Sequence, residues 1–153
     1  MKHFQKIVGE KVYLSPLHPN DYELFTKRMN DPQITDNTGG STAITSLLSE
    51  RKRVENLATE SSNLTGNNTY NFTIVKKENN EVVGNIGLRE IHYIHRTAML
   101  GIMIGERDEH HKGYGTDAMN CILDYAFNIL NLNNIILHVY DFNEKAKKCY
   151  EKC

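Results

Sequence analysis

The run His110-His111-Lys112-Gly113-Tyr114-Gly115-Thr116 constrains this chain more than any other stretch. An apolar segment, Thr97 to Gly105, precedes it and reads as a strand. A helical pattern follows, with Ala118, Ile122, Tyr125 and Ile129 on one face. A strand that enters a glycine turn and leaves as a helix can hold a phosphate. The two glycines allow φ > 0 and let the backbone approach a ligand. The first N–H groups of the new helix have no intrahelical partner, and the helix dipole favours an anion beside them. Lys112 and the two histidines add positive charge. The stretch therefore predicts a site for a diphosphate-bearing cofactor, with an ordinary tight turn as the plain alternative. It is not a Walker loop, because no Gly-Lys-Ser/Thr follows a four-residue gap after a first glycine. Nor is it a dinucleotide fingerprint, because Ala118 lies where the third glycine would let the helix pack down.

The flanking sequence decides between these readings. The segment from Glu81 to Lys152 resembles the core of the GNAT superfamily of acyl-CoA-dependent N-acetyltransferases. The cofactor motif of that superfamily is Gln/Arg-x-x-Gly-x-Gly/Ala, and His110 to Gly115 matches it except at the first position. Thr116-Asp117-Ala118 continues in the family's manner. Downstream, Asn143-Glu144-Lys145-Ala146 and Tyr150-Glu151-Lys152 resemble its closing Asn-x-x-Ala…Tyr-x-Lys element. The resemblance spans nearly half of the chain in the family's order and spacing. The opening of the chain resembles, more weakly, the branch that holds the ribosomal-protein N-terminal and polyamine acetyltransferases.

The resemblance implies an α/β (α+β) GNAT fold. Its mixed central sheet would have antiparallel N-terminal strands, a splayed parallel pair around the cofactor site and flanking helices. The parallel pair would be Thr97–Gly105 and Ile135–Tyr140. A bulge in the first strand would free backbone groups at Ile102, Met103 and Ile104, and the pantetheine arm of acetyl-CoA would pair with them. Backbone amides around His110, His111, Lys112, Gly113, Tyr114, Gly115 and Thr116 would hold the pyrophosphate. Asn143 is expected to cap the last helix and, by resemblance, to touch the cofactor, with Ala146 beside it. His110 departs from the family's Gln/Arg, so its charge would vary with pH.

The implied chemistry is direct attack of a neutral amine on a thioester, which needs positioning, an oxyanion stabiliser and proton transfers. Tyr150 matches the family tyrosine that contacts the sulfur and acts as general acid; a buried aromatic one turn after Ala146 is the plainer reading. Glu90 and Glu106, near the ends of the two central strands, are the candidate bases. A water chain is an equal alternative, and a solvated surface explains either residue as well.

Elsewhere the residues punctuate the chain. Val12-Tyr13-Leu14 predicts a first strand ended by Ser15-Pro16. Asn20 or Asp21 would cap a helix to about Met29, stopped by Asn30-Asp31-Pro32. After the Gly39-Gly40-Ser41 loop, Thr42 is expected to cap a helix carrying Ile44, Leu47, Leu48, Val54 and Leu57. By resemblance, the segment between these two helices shapes the acceptor site. Tyr70 to Val75 and Val82 to Ile91 predict a hairpin, with Gly84 and Gly87 marking bulges or a close backbone approach. His92 and His95 in the next turn read as solvent-facing, and no metal is expected.

A net charge of −1 gives no electrostatic footprint for nucleic acid or an anionic membrane. No apolar run approaches a membrane span, and the N-terminus begins no signal-peptide pattern. Cys121, Cys149 and Cys153 have neither disulfide nor zinc spacing. A cytoplasmic chain is expected, in which the sequons at Asn63, Asn67 and Asn71 are chance matches. No repeat divides the 153 residues, so a single GNAT domain over 1–153 is the economical reading. The chain stops at Cys153, whereas family members continue through Gly-Phe into further strands. The expectation is a sheet lacking its final strands and open at the Ile135–Tyr140 edge, which a homo-oligomer would complete. The expected activity is acetylation of a primary amine: a protein N-terminus, a polyamine or a small amine. A non-catalytic acyl-CoA-binding or sensing module is the alternative.

Overall fold

The computed structural model describes residues 2–61, 67–105 and 111–153. The predicted positions Glu106, His110 and Asn63 lie outside the described residues. The chain opens with an antiparallel hairpin, β1 (Ile7–Val8) and β2 (Val12–Pro16). Helix α1 (Tyr22–Met29), the short α2 (Pro32–Thr35) and α3 (Leu47–Glu60) follow. Strands β3 (Tyr70–Lys76), β4 (Val82–His92) and β5 (Thr97–Ile104) then form a meander. Helix α4 (Tyr114–Asp124), β6 (Asn134–Ile136) and α5 (Glu144–Tyr150) complete the chain.

Among the described residues the sheet has six strands in the order β1-β2-β3-β4-β5-β6. Every neighbouring pair is antiparallel except β5 and β6, which the α4 crossover makes parallel. This is the expected mixed α/β architecture.

Strand alternation assigns the two faces. Val12, Leu14, Ile74, Ile86, Leu88 and Leu100 share a core with Ala118, Met119, Ile122 and Ala126 from the α4 segment. Tyr13 and Val75, one residue out of phase, are buried away from that cluster, as are Phe25 of α1 and Val54 of α3. Each fully buried Leu or Ile contributes about 1.5–3 kcal/mol, so both layers are needed to close the sheet. No helix among the described residues is long and apolar enough to cross a membrane.

Several expectations change. Helix α3 begins at Leu47, not after Thr42. Ser46 accepts from Ser49 N while Ser49 Oγ accepts from Ser46 N, a reciprocal capping box that fixes the start. Ile44 is left outside the helix and 96% exposed. Asp21 stands at the α1 N-cap position but makes no capping bond. Its side chain turns inward to His3, and His18 caps a preceding 3-10 turn, Pro19–Asp21, instead.

The α4 face holds through Ala118 and Ile122, both fully buried, and Tyr125, which stacks edge-on to Tyr70 and Phe72. Ile129 does not follow them. Residues Tyr125–Ile129 form a π-turn closed by Leu130 N donating to Tyr125 O at 3.0 Å. The extra residue rotates Ile129 outward, to 67% exposure.

Strand β6 is a three-residue ladder, Asn134 to Ile136, rather than a strand to Tyr140. It pairs with Thr97, Ala98 and Met99 of β5 and then leaves the sheet. The bulge expected in β5 is absent: β5 is in regular register with β4 from Leu100 to Ile104. The irregularity lies on β4, where the register shifts between Arg89 and His92 and Glu90 adopts φ +51°. Gly84 is a point of close approach, since a Cβ there would collide with Met103 O.

Candidate functional site

The glycine turn is built as the start of α4. Gly113 is the N-cap, with φ +85°, a conformation that disfavours any residue bearing a Cβ. It has no side chain to cap the helix, so the first amides of α4 receive no side-chain cap from it. His111, just before, is also left-handed at φ +65°. Lys112 and His111 are exposed, and Thr116 is half-buried.

Three contacts hold this turn, and sequence reasoning anticipated none of them. Tyr114 turns its ring inward: its hydroxyl donates to Glu78 Oε1 at 3.0 Å, and the Lys76 ammonium lies 5.6 Å from its ring centroid. Tyr114 thereby ties the turn to the β3–β4 hairpin through its side chain. The Asp117 carboxylate accepts from the backbone N–H groups of Glu10, Lys11 and Val12, at 3.1, 2.8 and 2.9 Å. A Cβ on Gly9 would crowd that carboxylate. Finally, Lys11 Nζ donates to Lys112 O at 2.8 Å. An acidic residue in a first helical turn is a readable signal. Its attachment to a hairpin a hundred residues away is not.

Gly115 lies inside the first turn of α4, where its φ is not positive. A Cβ there would be 3.6 Å from Ile104 Cγ1 and 3.7 Å from Cys149 Sγ, ordinary contact distances. Thr116 Oγ1 also meets Cys149 Sγ at 3.5 Å. The end of β5, the start of α4 and helix α5 therefore converge on one point.

The edge of β5 completes the arrangement. Ile102, Met103 and Ile104 pair with Ile86, Asn85 and Gly84 on one side. On the other side the β6 ladder ends at Met99, so β5 from Leu100 to Met103 has no ladder partner there among the described residues. Divergence of the two strands, rather than a bulge, leaves Leu100 to Met103 beyond the ladder.

Asn143 caps α5: its Oδ1 accepts from Ala146 N at 3.2 Å, and its Nδ2 donates to Asn37 O at 3.3 Å. The cap thus touches the α2–α3 segment, where Gly39 also faces the Tyr140 hydroxyl. Tyr140 stacks on Phe142 with ring centroids 5.3 Å apart. Tyr150, at the end of α5, is half-buried against the main core. Burial raises the pKa of its phenol, and Cys149 and Cys153 raise it further.

Of the predicted site residues, the structure gathers Ile104, Gly115 and Thr116 with the α5 helix that carries Asn143, Ala146 and Tyr150. It does not bring Glu90 to the turn. Glu90 is exposed near the far end of β4, about 20 Å along the strand from Gly84, the partner of Ile104. The His92 and His95 rings lie 6.0 Å apart. Among the described residues no three His, Cys, Asp or Glu side chains gather as metal ligands.

Spermidine N(1)-acetyltransferase of Vibrio cholerae is 43% identical over 80 residues, 52% of this chain. That match spans 46% of the relative, less than half its length. The crystal structure of spermidine N-acetyltransferase from Vibrio cholerae in complex with CoA and spermine superposes with a TM-score of 0.80 at 28% identity. It covers 94% of this chain and 79% of that one. A GNAT-family acetyltransferase from Bacillus anthracis, 20% identical, shares the fold with a TM-score of 0.79 over 95% of this chain and 80% of its own. The acetyltransferase (GNAT) domain model matches residues 11–153, and the chain belongs to the GNAT acetyltransferase family.

Proposed function

We propose that this chain is an acetyl-CoA-dependent N-acetyltransferase acting on a primary amine, with polyamines as the acceptor class. The observation that carries the reading is the meeting of Ile104, Gly115 and Cys149. Around that point lie the glycine turn, the end of β5 and the helix bearing Tyr150. The cofactor finds matching groups there. A diphosphate suits the amides from His111 to Thr116, with Lys112 adding charge. An extended pantetheine arm suits the β5 edge at Ile102, Met103 and Ile104, beyond the end of the β6 ladder, and Asn143 and Ala146 stand at the start of α5. The space beside Gly115 is compatible with close approach of a ligand backbone.

When bound, acetyl-CoA supplies the acetyl group as an activated thioester. The chain's own contribution is positioning and proton handling. The Tyr150 phenol is protonated at neutral pH as any tyrosine is, and burial, then Cys149 and Cys153, extend that state to higher pH. Its hydroxyl is therefore suited to donate a proton to the thiolate as it leaves. The polyamine assignment is supported by the matches to spermidine N-acetyltransferase of Vibrio cholerae, one in sequence and one to a crystal structure with CoA and spermine.

Calorimetric titration of acetyl-CoA into the 153-residue chain tests the reading, with Gly113→Glu as control. Turnover is then measured on spermidine, spermine, a simple alkyl monoamine and a peptide with a free N-terminus. Binding that Gly113→Glu abolishes, with the highest kcat/KM on the polyamines, is the expected result. No binding by the parent chain refutes the cofactor site. Binding without turnover on any amine would make the chain an acyl-CoA-binding module.

A further inference from the structure

Lys11 stands in the β1–β2 turn, yet its ammonium lies beneath the glycine turn. Its Nζ donates to Lys112 O and would be 3.0 Å from a Cβ on Gly113. The described peptide bonds are all trans. In a trans peptide the carbonyl oxygen and the next N–H point in opposite directions. The ammonium that holds Lys112 O therefore fixes the Gly113 N–H on the far side of the peptide, away from Lys11. Glycine imposes little orientation of its own at φ +85°, so the peptide that opens α4 depends on an outside contact.

That contact is itself anchored. Asp117, in the first turn of α4, accepts three consecutive N–H groups from Glu10, Lys11 and Val12. Charge-assisted bonds of this kind are roughly twice as strong as neutral ones. A closed circuit results: α4 holds the β1–β2 turn, the turn holds Lys11, and Lys11 holds the peptide from which α4 starts. Nothing in this circuit requires Lys11 to touch a ligand.

We propose that Lys11 and Asp117 are positioning residues for the diphosphate site, keeping the Lys112–Gly113 peptide turned so that its N–H faces the cofactor's anionic groups. The proposal rests on the reading of the turn as an acetyl-CoA site. Lys11 is exposed at the surface of a hairpin, so Lys11→Met is not expected to unfold the chain.

The test compares the parent, Lys11→Met, Lys11→Arg and Gly113→Glu, with acetyl-CoA and with S-acetylpantetheine, a thioester lacking the diphosphate. Losing a hydrogen bond from a charged donor predicts that Lys11→Met weakens acetyl-CoA binding about tenfold. It should raise KM for acetyl-CoA and leave KM for the amine unchanged. Lys11→Arg should recover most of the affinity. Turnover of S-acetylpantetheine should be the same in the parent and Lys11→Met, because no diphosphate is present to sense the peptide. Equal loss with both thioesters would make Lys11 a structural tie only and overturn the proposal. So would parent-like acetyl-CoA binding by Lys11→Met alongside abolished binding by Gly113→Glu, an outcome that leaves the cofactor site standing. Failure of the parent to bind acetyl-CoA would remove both.

Discussion

Gly115 and Cys149 face each other across the junction of α4 and α5 at a distance that would admit a methyl group: a Cβ on Gly115 would stand 3.7 Å from Cys149 Sγ. With helical backbone and room for a side chain, nothing in the protein itself demands glycine there. Gly113 is different, because its φ of +85° strains any other residue. Gly115→Ala is therefore expected to fold with unchanged or slightly raised stability, by about 0.5 kcal/mol. Gly113→Ala should lose about 1–2 kcal/mol. If a ligand's backbone approaches α4 at this point, Gly115→Ala will still weaken acetyl-CoA binding severalfold. Denaturant melts and calorimetry on the two variants separate the cases. Parent-like affinity in Gly115→Ala would show that no ligand comes that close.

Tyr150 offers a different signature. Burial first, then Cys149 and Cys153, raise its pKa above the ordinary 10. A general acid works only while protonated, so the alkaline fall in kcat should lie above pH 10 rather than at it. Tyr150→Phe should lower kcat by about 10²–10⁴-fold while leaving acetyl-CoA affinity within about threefold. An unchanged kcat in Tyr150→Phe would reduce Tyr150 to a packing residue.

The site is legible in the sequence only where neighbouring residues decide it. The glycine turn, the Asn143 cap and the strands around them follow from local spacing, because each is decided by residues a few positions apart. Spacing alone misplaces the start of α3, because Thr42 and Ser46 are both good caps and Ile44 fits the helical period. Only the reciprocal bonds between Ser46 and Ser49 choose between them. A constant 3.6-residue period puts Ile129 on the buried face, and one inserted π-turn breaks that period. Lys11, Glu78 and Asp117 were invisible as parts of the site for another reason. Their roles exist only once β1–β2, β3–β4 and α4 have been brought together, and no spacing within any one element records that.

Away from the turn, Asp21 should govern stability in acid. Its carboxylate is buried and meets Lys2 Nζ at 2.7 Å, His3 Nε2 at 2.9 Å and the Thr73 hydroxyl at 3.2 Å. Burial alone would raise its pKa, but the bonds from Lys2 and His3 outweigh it, and the folded value lies below the usual 3.8. A depressed folded pKa gives stability that is present above the unfolded value and lost as pH falls through the folded one. The parent should therefore lose stability steeply below about pH 4. Asp21→Asn should be about 1–3 kcal/mol less stable at pH 7 and show a flatter curve in acid. Parallel stability curves for the two proteins would contradict this account of Asp21.

Cys121 should be the protected thiol of the three. It lies buried on α4, while Cys153 is exposed and Cys149 half-buried. Burial, reinforced by the Asp117 and Asp124 carboxylates, pushes its pKa from 9.0 to about 11. Two units mean about a hundredfold less thiolate at any pH below 9, on top of restricted access. In the folded chain a thiol reagent at pH 8 should modify Cys153 readily and leave Cys121 untouched until denaturant is added. A raised folded pKa also gives stability that is complete below the unfolded value and lost above it. The contribution from Cys121 should therefore decline between pH 9 and 11, and Cys121→Ala should remove that decline whatever it costs in packing. Mass spectrometry of the labelled peptides reads the first effect and denaturant melts across that pH range read the second. Rapid labelling of Cys121 in the native chain would mean that the α4 face opens far more often than its burial against the sheet implies.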